Sequence, residues 1–129
     1  MPKKRKRKGH YHTGVYESKK GGIVNYRSGW EFSYAKFLDE DPTVDKFSYE
    51  SLNIAYLSNK KTGRIRHYIP DFIVTYIDGR TVIVEIKPLR RMLNPTNVKK
   101  FEAAKQWAEQ NDVQFQILTE RELRDLHVL

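Results

Sequence analysis

The sequence predicts a mixed α/β domain behind a cationic N-terminal arm. Two patterns carry this: the order of helix-period and strand-period segments, and the confinement of nearly all net charge to one end. The 129 residues suffice for a single modest core and are too few for two. The segments run helix, three or more strands, helix, strand, helix, with no internal repeat, which is a mixed α/β order.

The arm follows from composition. Residues 1–22 contain eight basic side chains, Lys3, Lys4, Arg5, Lys6, Arg7, Lys8, Lys19 and Lys20, against one acid, Glu17. Seven of the eight net positive charges therefore lie there, and the remainder of the chain is nearly neutral. Residues 1–25 hold too little apolar surface to offset the entropy of ordering, so they are expected to form a flexible basic arm, with a domain over 26–129. A concentrated cationic tail suits a polyanion, because each phosphate neutralised releases a counterion. The tail thus predicts DNA binding by Lys3, Lys4, Arg5, Lys6, Arg7 and Lys8. The run "PKKRKRK" also looks like a nuclear-localisation signal, but that reading explains only the tail.

Composition also excludes. There is no cysteine, so disulfides and thiolate metal sites are out, and any metal must be held by oxygen or imidazole. No apolar run approaches membrane-spanning length, and the N-terminus lacks the apolar segment of a secretory signal. A soluble protein without a membrane partner is expected.

Within the domain, Ser28 starts a helix running to about Asp39, with Trp30, Tyr34, Phe37 and Leu38 at helical spacing, and Asp41-Pro42 ends it. Strands are predicted over Val44–Tyr49, Asn53–Leu57 and Arg64–Ile69, the last two joined by the turn-like "SNKKTGR". Two more flank Asp78-Gly79 in "PDFIVTYIDGRTVIVEIKP". After the loop "LRRMLNPTN", Asn94-Pro95 can open a helix to about Gln110, with Val98, Phe101, Ala104, Trp107 and Ala108 along one face. Trp30 and Trp107 are both expected in the core. "VQFQIL" reads as a strand, and Thr119 with Glu122 has capping-box spacing for a terminal helix.

The hairpin around Asp78-Gly79 carries charge at the end farthest from its turn, and the loop length decides which side chains share a face. A loop of Asp78-Gly79 alone pairs Asp71 with Ile86 and points Asp71 away from Glu85 and Lys87. A loop of Ile77-Asp78-Gly79 pairs Tyr76 with Arg80 and Asp71 with Glu85, with Gly79 in the left-handed position of a bulged type I turn. Opposed carboxylates roughly 5 Å apart repel by several kcal/mol at an effective dielectric near ~20. Something positive must sit between them. Lys87 is one candidate and a divalent cation the stronger one, with Mg²⁺ or Mn²⁺ suited to carboxylate oxygens and to a phosphate that replaces their waters.

Glu31 lies on the apolar side of the first helix beside Tyr34, Ala35 and Leu38, which favours a part in the same site. A competing role is simple: Ser28 and Glu31 have capping-box spacing, and Glu31 then only satisfies the helix start. The competing reading of Asp71, Glu85 and Lys87 is a strand-end ion cluster. Other basic residues have weaker claims to a DNA path: Arg64, Arg66, His67, Lys99, Lys100 and Lys105, with Arg90 and Arg91 preferred because they follow the charged strand directly. His10, His12, His67 and His127 lack metal-ligand spacing.

Pro70-Asp71, Glu85-Ile86-Lys87 and the upstream Glu31 together resemble the PD-(D/E)XK nuclease superfamily. The wider pattern "YRSGWE…YESLNIAY…GRIRHYIPDFIV…VEIKP…FQILTE" is similar to the endonuclease domain of Tn7-type transposase subunits. It is still more similar to the small head-completion nucleases of tailed phages. The resemblance implies a restriction-endonuclease-like core, with a central mixed β-sheet flanked by helices and the site at splayed strand ends. It further implies that Asp71, Glu85 and the Ile86 backbone carbonyl bind Mg²⁺, with Mn²⁺ as substitute. Lys87 would orient or help deprotonate the attacking water and steady the phosphate, and Glu31 would hold the metal or its water. Such chemistry matches what a divalent ion offers a phosphodiester.

The expected function is therefore a Mg²⁺-dependent DNA endonuclease, with exonuclease activity as a further option, acting on packaged DNA in phage head completion before head-tail joining. Head, portal or neck proteins are the implied partners, and the host cytoplasm during assembly, or the virion, the implied location. One alternative is the DNA-cleaving subunit of a Tn7-like transposase, which normally carries a further C-terminal partner-binding domain, whereas this chain ends at Leu129. Others are a non-catalytic DNA-binding virion protein or a structural virion component in which cleavage is vestigial.

Overall fold

The structure, a computed structural model, describes residues 12–129. In chain order the elements are β1 (Tyr16–Glu17), β2 (Ile23–Val24), α1 (Gly29–Glu40), β3 (Val44–Tyr49), β4 (Ile54–Asn59), β5 (Arg64–Tyr68), β6 (Phe72–Tyr76), β7 (Thr81–Ile86), α2 (Pro95–Gln110), β8 (Gln114–Leu118) and α3 (Glu120–Asp125). A short 3-10 turn covers Leu89–Arg91.

The helix starts follow from their caps. The Ser28 hydroxyl accepts the Glu31 N–H at 3.2 Å to open α1, Asn94 accepts from Thr96 to open α2 ahead of Pro95, and Thr119 with Glu122 forms the full capping box of α3. Asp41 caps the C-terminus of α1.

Strands β3, β6, β7 and β8 form one mixed sheet in that order, antiparallel except for the β7–β8 pair that α2 connects. Side chains alternate across it. Phe72, Val74, Val82, Val84 and Ile86 face α1 and pack with Tyr34, Ala35 and Leu38. Positions 73, 83 and 85 face the other way, where α2 and the β4–β5 pair lie. There Ile54, Tyr68 and Ala104 form a second buried cluster with Trp107 and Phe115 against it. This is the expected α/β architecture of a central mixed sheet flanked by helices.

The register of the β6–β7 hairpin agrees with the odd-length loop. Thr75 pairs with Thr81 and Phe72 with Val84, and Tyr76 N–H donates to the Arg80 carbonyl at 2.9 Å. Gly79 has φ +94°, a conformation that an L side chain rarely adopts.

Three features differ from the sequence reading. Residues 16–24, assigned to the flexible arm, form the β1–β2 hairpin. Val24 is fully buried, and the Asp39 carboxylate accepts the Lys19 and Lys20 N–H groups at 3.0 Å each as well as the Tyr16 hydroxyl. Gly21 is required there, because a Cβ at that position would lie 2.4 Å from the Phe47 ring. One anchor far along the chain thus orders a segment with little apolar content of its own. On α2, Phe101, Ala104 and Ala108 are buried as expected, but in the first turn Asn97 is buried and Val98 exposed, since the Asn97 amide donates to the Arg91 carbonyl at 3.0 Å. Trp30 is only partly buried, beside the cleft described next.

Candidate active site

Register and strand ends together build the site. Because Phe72 opposes Val84, the preceding Asp71 opposes Glu85 on the face away from α1. Each carboxylate is held by the other strand's backbone. Glu85 Oε1 accepts the Asp71 N–H at 3.2 Å, and Asp71 Oδ2 accepts the Ile86 N–H at 2.8 Å. Asp71 is 7% exposed and Glu85 5%. Lys87, the residue just after β7, sets its Nζ 3.5 Å from Glu85 Oε2. Its backbone N–H donates to the Leu118 carbonyl at 3.0 Å, so the parallel β7–β8 pairing continues through the charged residues.

Electrostatics of this pair oppose ionisation. Burial, then the Glu85 and Glu31 charges, hold the Asp71 carboxyl well above the usual range, and the Ile86 N–H and Lys87 only partly offset this. Burial likewise raises Glu85, against the pull of Lys87 and the Asp71 N–H. A cation held by the pair would offset that conflict.

A cleft of about 440 Å³ opens on these groups, and its walls include Glu31, Asp71, Glu85, Ile86 and Lys87. Glu31 serves the helix start and also faces the cleft. Its side chain reaches back to the Arg27 N–H at 3.3 Å and the Ser28 hydroxyl at 3.1 Å, and it also accepts the Tyr49 hydroxyl while lining the cleft. It approaches from the α1 side, however, and no cluster of three potential metal-ligating side chains is closed up among the described residues.

The weaker candidates divide. Arg91, His67 and Lys100 reach the cleft wall, whereas Arg64, Arg66, Arg90, Lys99 and Lys105 do not. The turn carrying Arg90 and Arg91 is tied down by the Leu89 N–H to Glu120 at 2.8 Å. Lys3, Lys4, Arg5, Lys6, Arg7 and Lys8 lie outside the described residues.

Two cleft residues escaped the sequence reading. Arg27, ion-paired with Glu50, stands one residue before the Ser28 cap. Tyr68 is 4% exposed, and burial together with the nearby Glu85 charge raises its phenol. Although Glu85 is near enough to act on it, the two do not meet hydrogen-bond geometry, and the hydroxyl is a buried polar atom without a partner. The only available signal was its place three residues before Asp71, at the end of an apolar-aromatic strand.

Residues 41–120 match the family described as TnsA-like endonuclease N terminal. The chain belongs to this TnsA-like endonuclease family. The matched segment contains Asp71, Glu85, Ile86 and Lys87 and leaves Glu31 outside, so the hairpin charges lie within the family's span and the helical acid precedes it. The chain is also similar to the head completion nuclease of Enterobacteria phage T4, at 29% identity over 125 residues, covering 80% of this chain and 83% of the relative. No helix of this TnsA-like protein is long and apolar enough to cross a membrane among the described residues.

Proposed function

We propose that the protein is a divalent-metal-dependent DNA endonuclease that acts in head completion of a tailed phage. The observation that carries the chemistry is the opposed, buried Asp71–Glu85 pair with Lys87 Nζ at 3.5 Å from Glu85. The donor set fits a hard cation: Asp71 commits Oδ2 to a backbone N–H and has Oδ1 to offer, and Glu85 commits Oε1 to a backbone N–H while its Oε2 faces Lys87 Nζ across 3.5 Å. Asp71, Glu85 and the Ile86 carbonyl would hold Mg²⁺ or Mn²⁺, with Glu31 completing the acidic wall.

When bound, the ion would neutralise phosphate charge and acidify water. Lys87, donating from one side of the cleft, orients the attacking water and steadies charge on the phosphoryl oxygens. Water oxygen adds to phosphorus, one P–O ester bond breaks, and the water's proton leaves toward the departing alkoxide. Burial of Asp71 and Glu85 keeps competing solvent from their inner oxygens. The basic residues 3–8 would add sequence-independent phosphate contacts. The packed β1–β2 hairpin supports a nuclease domain that begins near residue 14, ahead of the expected 26.

Similarity to a head completion nuclease over 83% of that protein supports the phage role. A transposase DNA-cleaving subunit has the same chemistry and is favoured by the family match alone. Complementation of a phage lacking its head-completion nuclease separates them: wild type should restore infectious particles, and Lys87→Ala should not. Restoration by neither protein contradicts the phage role. Full restoration by Lys87→Ala contradicts a catalytic contribution.

A further inference from the structure

The β4–β5 pair is a separate two-stranded ribbon, not hydrogen-bonded into the central sheet. One face is accounted for: Ile54 and Tyr68 are buried with Ala104 of α2, and Lys99 Nζ donates to the Ser58 carbonyl at 2.8 Å. The other face is open. Leu57 and Ile65 stand directly opposite each other and are 50% and 54% exposed, flanked by the exposed pair Ala55 and His67.

The ribbon's cationic side chains flank this face, with Arg66 on the Tyr68 side of β5 and Lys60 and Lys61 in the turn, and charge and position of the ribbon as a whole identify what suits it. Residues 51–70 contain Lys60, Lys61, Arg64 and Arg66 and no acid. At the base of the ribbon, His67, Tyr68 and Ile69 line the cleft that holds Asp71 and Glu85, so the cationic ribbon runs outward from the site itself. Over the five residues of β5, a rise of about 3.4 Å each spans ~17 Å, roughly five base pairs at about 3.4 Å per phosphate. A two-stranded ribbon fits the major groove, about 12 Å wide.

We propose that the β4–β5 ribbon is a duplex-DNA docking element. Lys60, Lys61 and Arg64 meet phosphates at its tip, and Leu57 and Ile65 lie against the groove, which brings a phosphate to the Asp71–Glu85 pair. The proposal rests on the DNA-nuclease reading, and a protein interface is the competing use of the same face.

Binding of the full chain to a fluorescein-labelled 24-bp duplex, read by anisotropy in EDTA across a salt series, tests it, with Lys46→Ala on β3 as control. Lys60→Ala/Lys61→Ala should weaken duplex binding roughly tenfold and reduce the salt slope by about 2, one per phosphate contact. Leu57→Thr/Ile65→Thr should weaken duplex binding with the slope kept, and sedimentation should show an unchanged mass. Wild-type binding by both double variants overturns the proposal. So does a loss of self-association in Leu57→Thr/Ile65→Thr without a change in DNA affinity. Plasmid cleavage in Mg²⁺ by the same preparations separates the two ideas: cleavage with unaffected binding sinks the ribbon alone, and ribbon-dependent binding without wild-type cleavage sinks the nuclease reading alone.

Discussion

Asp71 and Glu85 each accept a backbone N–H from the opposite strand, Glu85 from Asp71 at 3.2 Å and Asp71 from Ile86 at 2.8 Å. Strand pairing therefore locks two like charges together. Both carboxyls lie above their ordinary pKa values, with burial as the largest cause. The folded protein then keeps protons that the unfolded chain releases, so this pair stabilises at low pH and loses that contribution as pH rises past ~4 toward the folded values. In EDTA, Asp71→Asn and Glu85→Gln should melt higher than wild type at pH 8, by a few °C, and the difference should vanish near pH 4. Calorimetry checks this. Mg²⁺ should raise the melting temperature of wild type and leave both variants nearly unmoved.

Tyr68 adds a second measurement at the same place. A buried hydroxyl without a partner costs about 1–3 kcal/mol, so Tyr68→Phe should hold or gain stability in EDTA by about 1 kcal/mol. A loss of that size in urea melts would show that the hydroxyl has a partner, Glu85 being the nearest charge.

The β1–β2 hairpin depends on Asp39. Burial pushes this carboxyl up, but the Tyr16 hydroxyl and the Lys19 and Lys20 N–H groups outweigh it and hold it below the ordinary value. Its contribution is present above the unfolded pKa of ~3.9 and is lost as pH falls through the folded one. Tyr16→Phe should cost about 1.5–3 kcal/mol at pH 7, as for a hydrogen bond to a charged group, and less below pH 3. Equal costs at both pH values in denaturant melts would contradict this anchor.

Gly79 sets the register from the far end of the hairpin. Gly79→Ala keeps an open site, with no neighbour near the new Cβ, but at φ +94° it should cost about 1–2 kcal/mol. Hydrogen exchange should quicken at Tyr76 and Thr81 and spread toward Asp71. Unchanged exchange would separate the turn from the site.

The loop length was legible because only one register brings Asp71, Glu85 and Lys87 to a single face, and Gly79 suits the turn that this register needs. Ser28, Asn94 and Thr119 marked their helices because caps are local chemistry. What stayed hidden depends on distant partners. Val24 and Tyr16 order through Asp39, Asn97 turns inward toward the Arg91 carbonyl, and Tyr68 and Arg27 meet the cleft only after the ribbon and α1 have packed. Glu31 looked like either a cap or a site residue from its spacing, and its two oxygens serve the helix start while the side chain lines the cleft.

Nicking of supercoiled plasmid by the purified full chain in Mg²⁺, beside an EDTA control, decides whether the opposed pair is a cleavage centre. Wild type should cleave, EDTA should abolish it, and Asp71→Asn and Glu85→Gln should each lower the rate by roughly 10²-fold or more. Intact plasmid with wild type in both Mg²⁺ and Mn²⁺, or equal rates in wild type and variants, would contradict it.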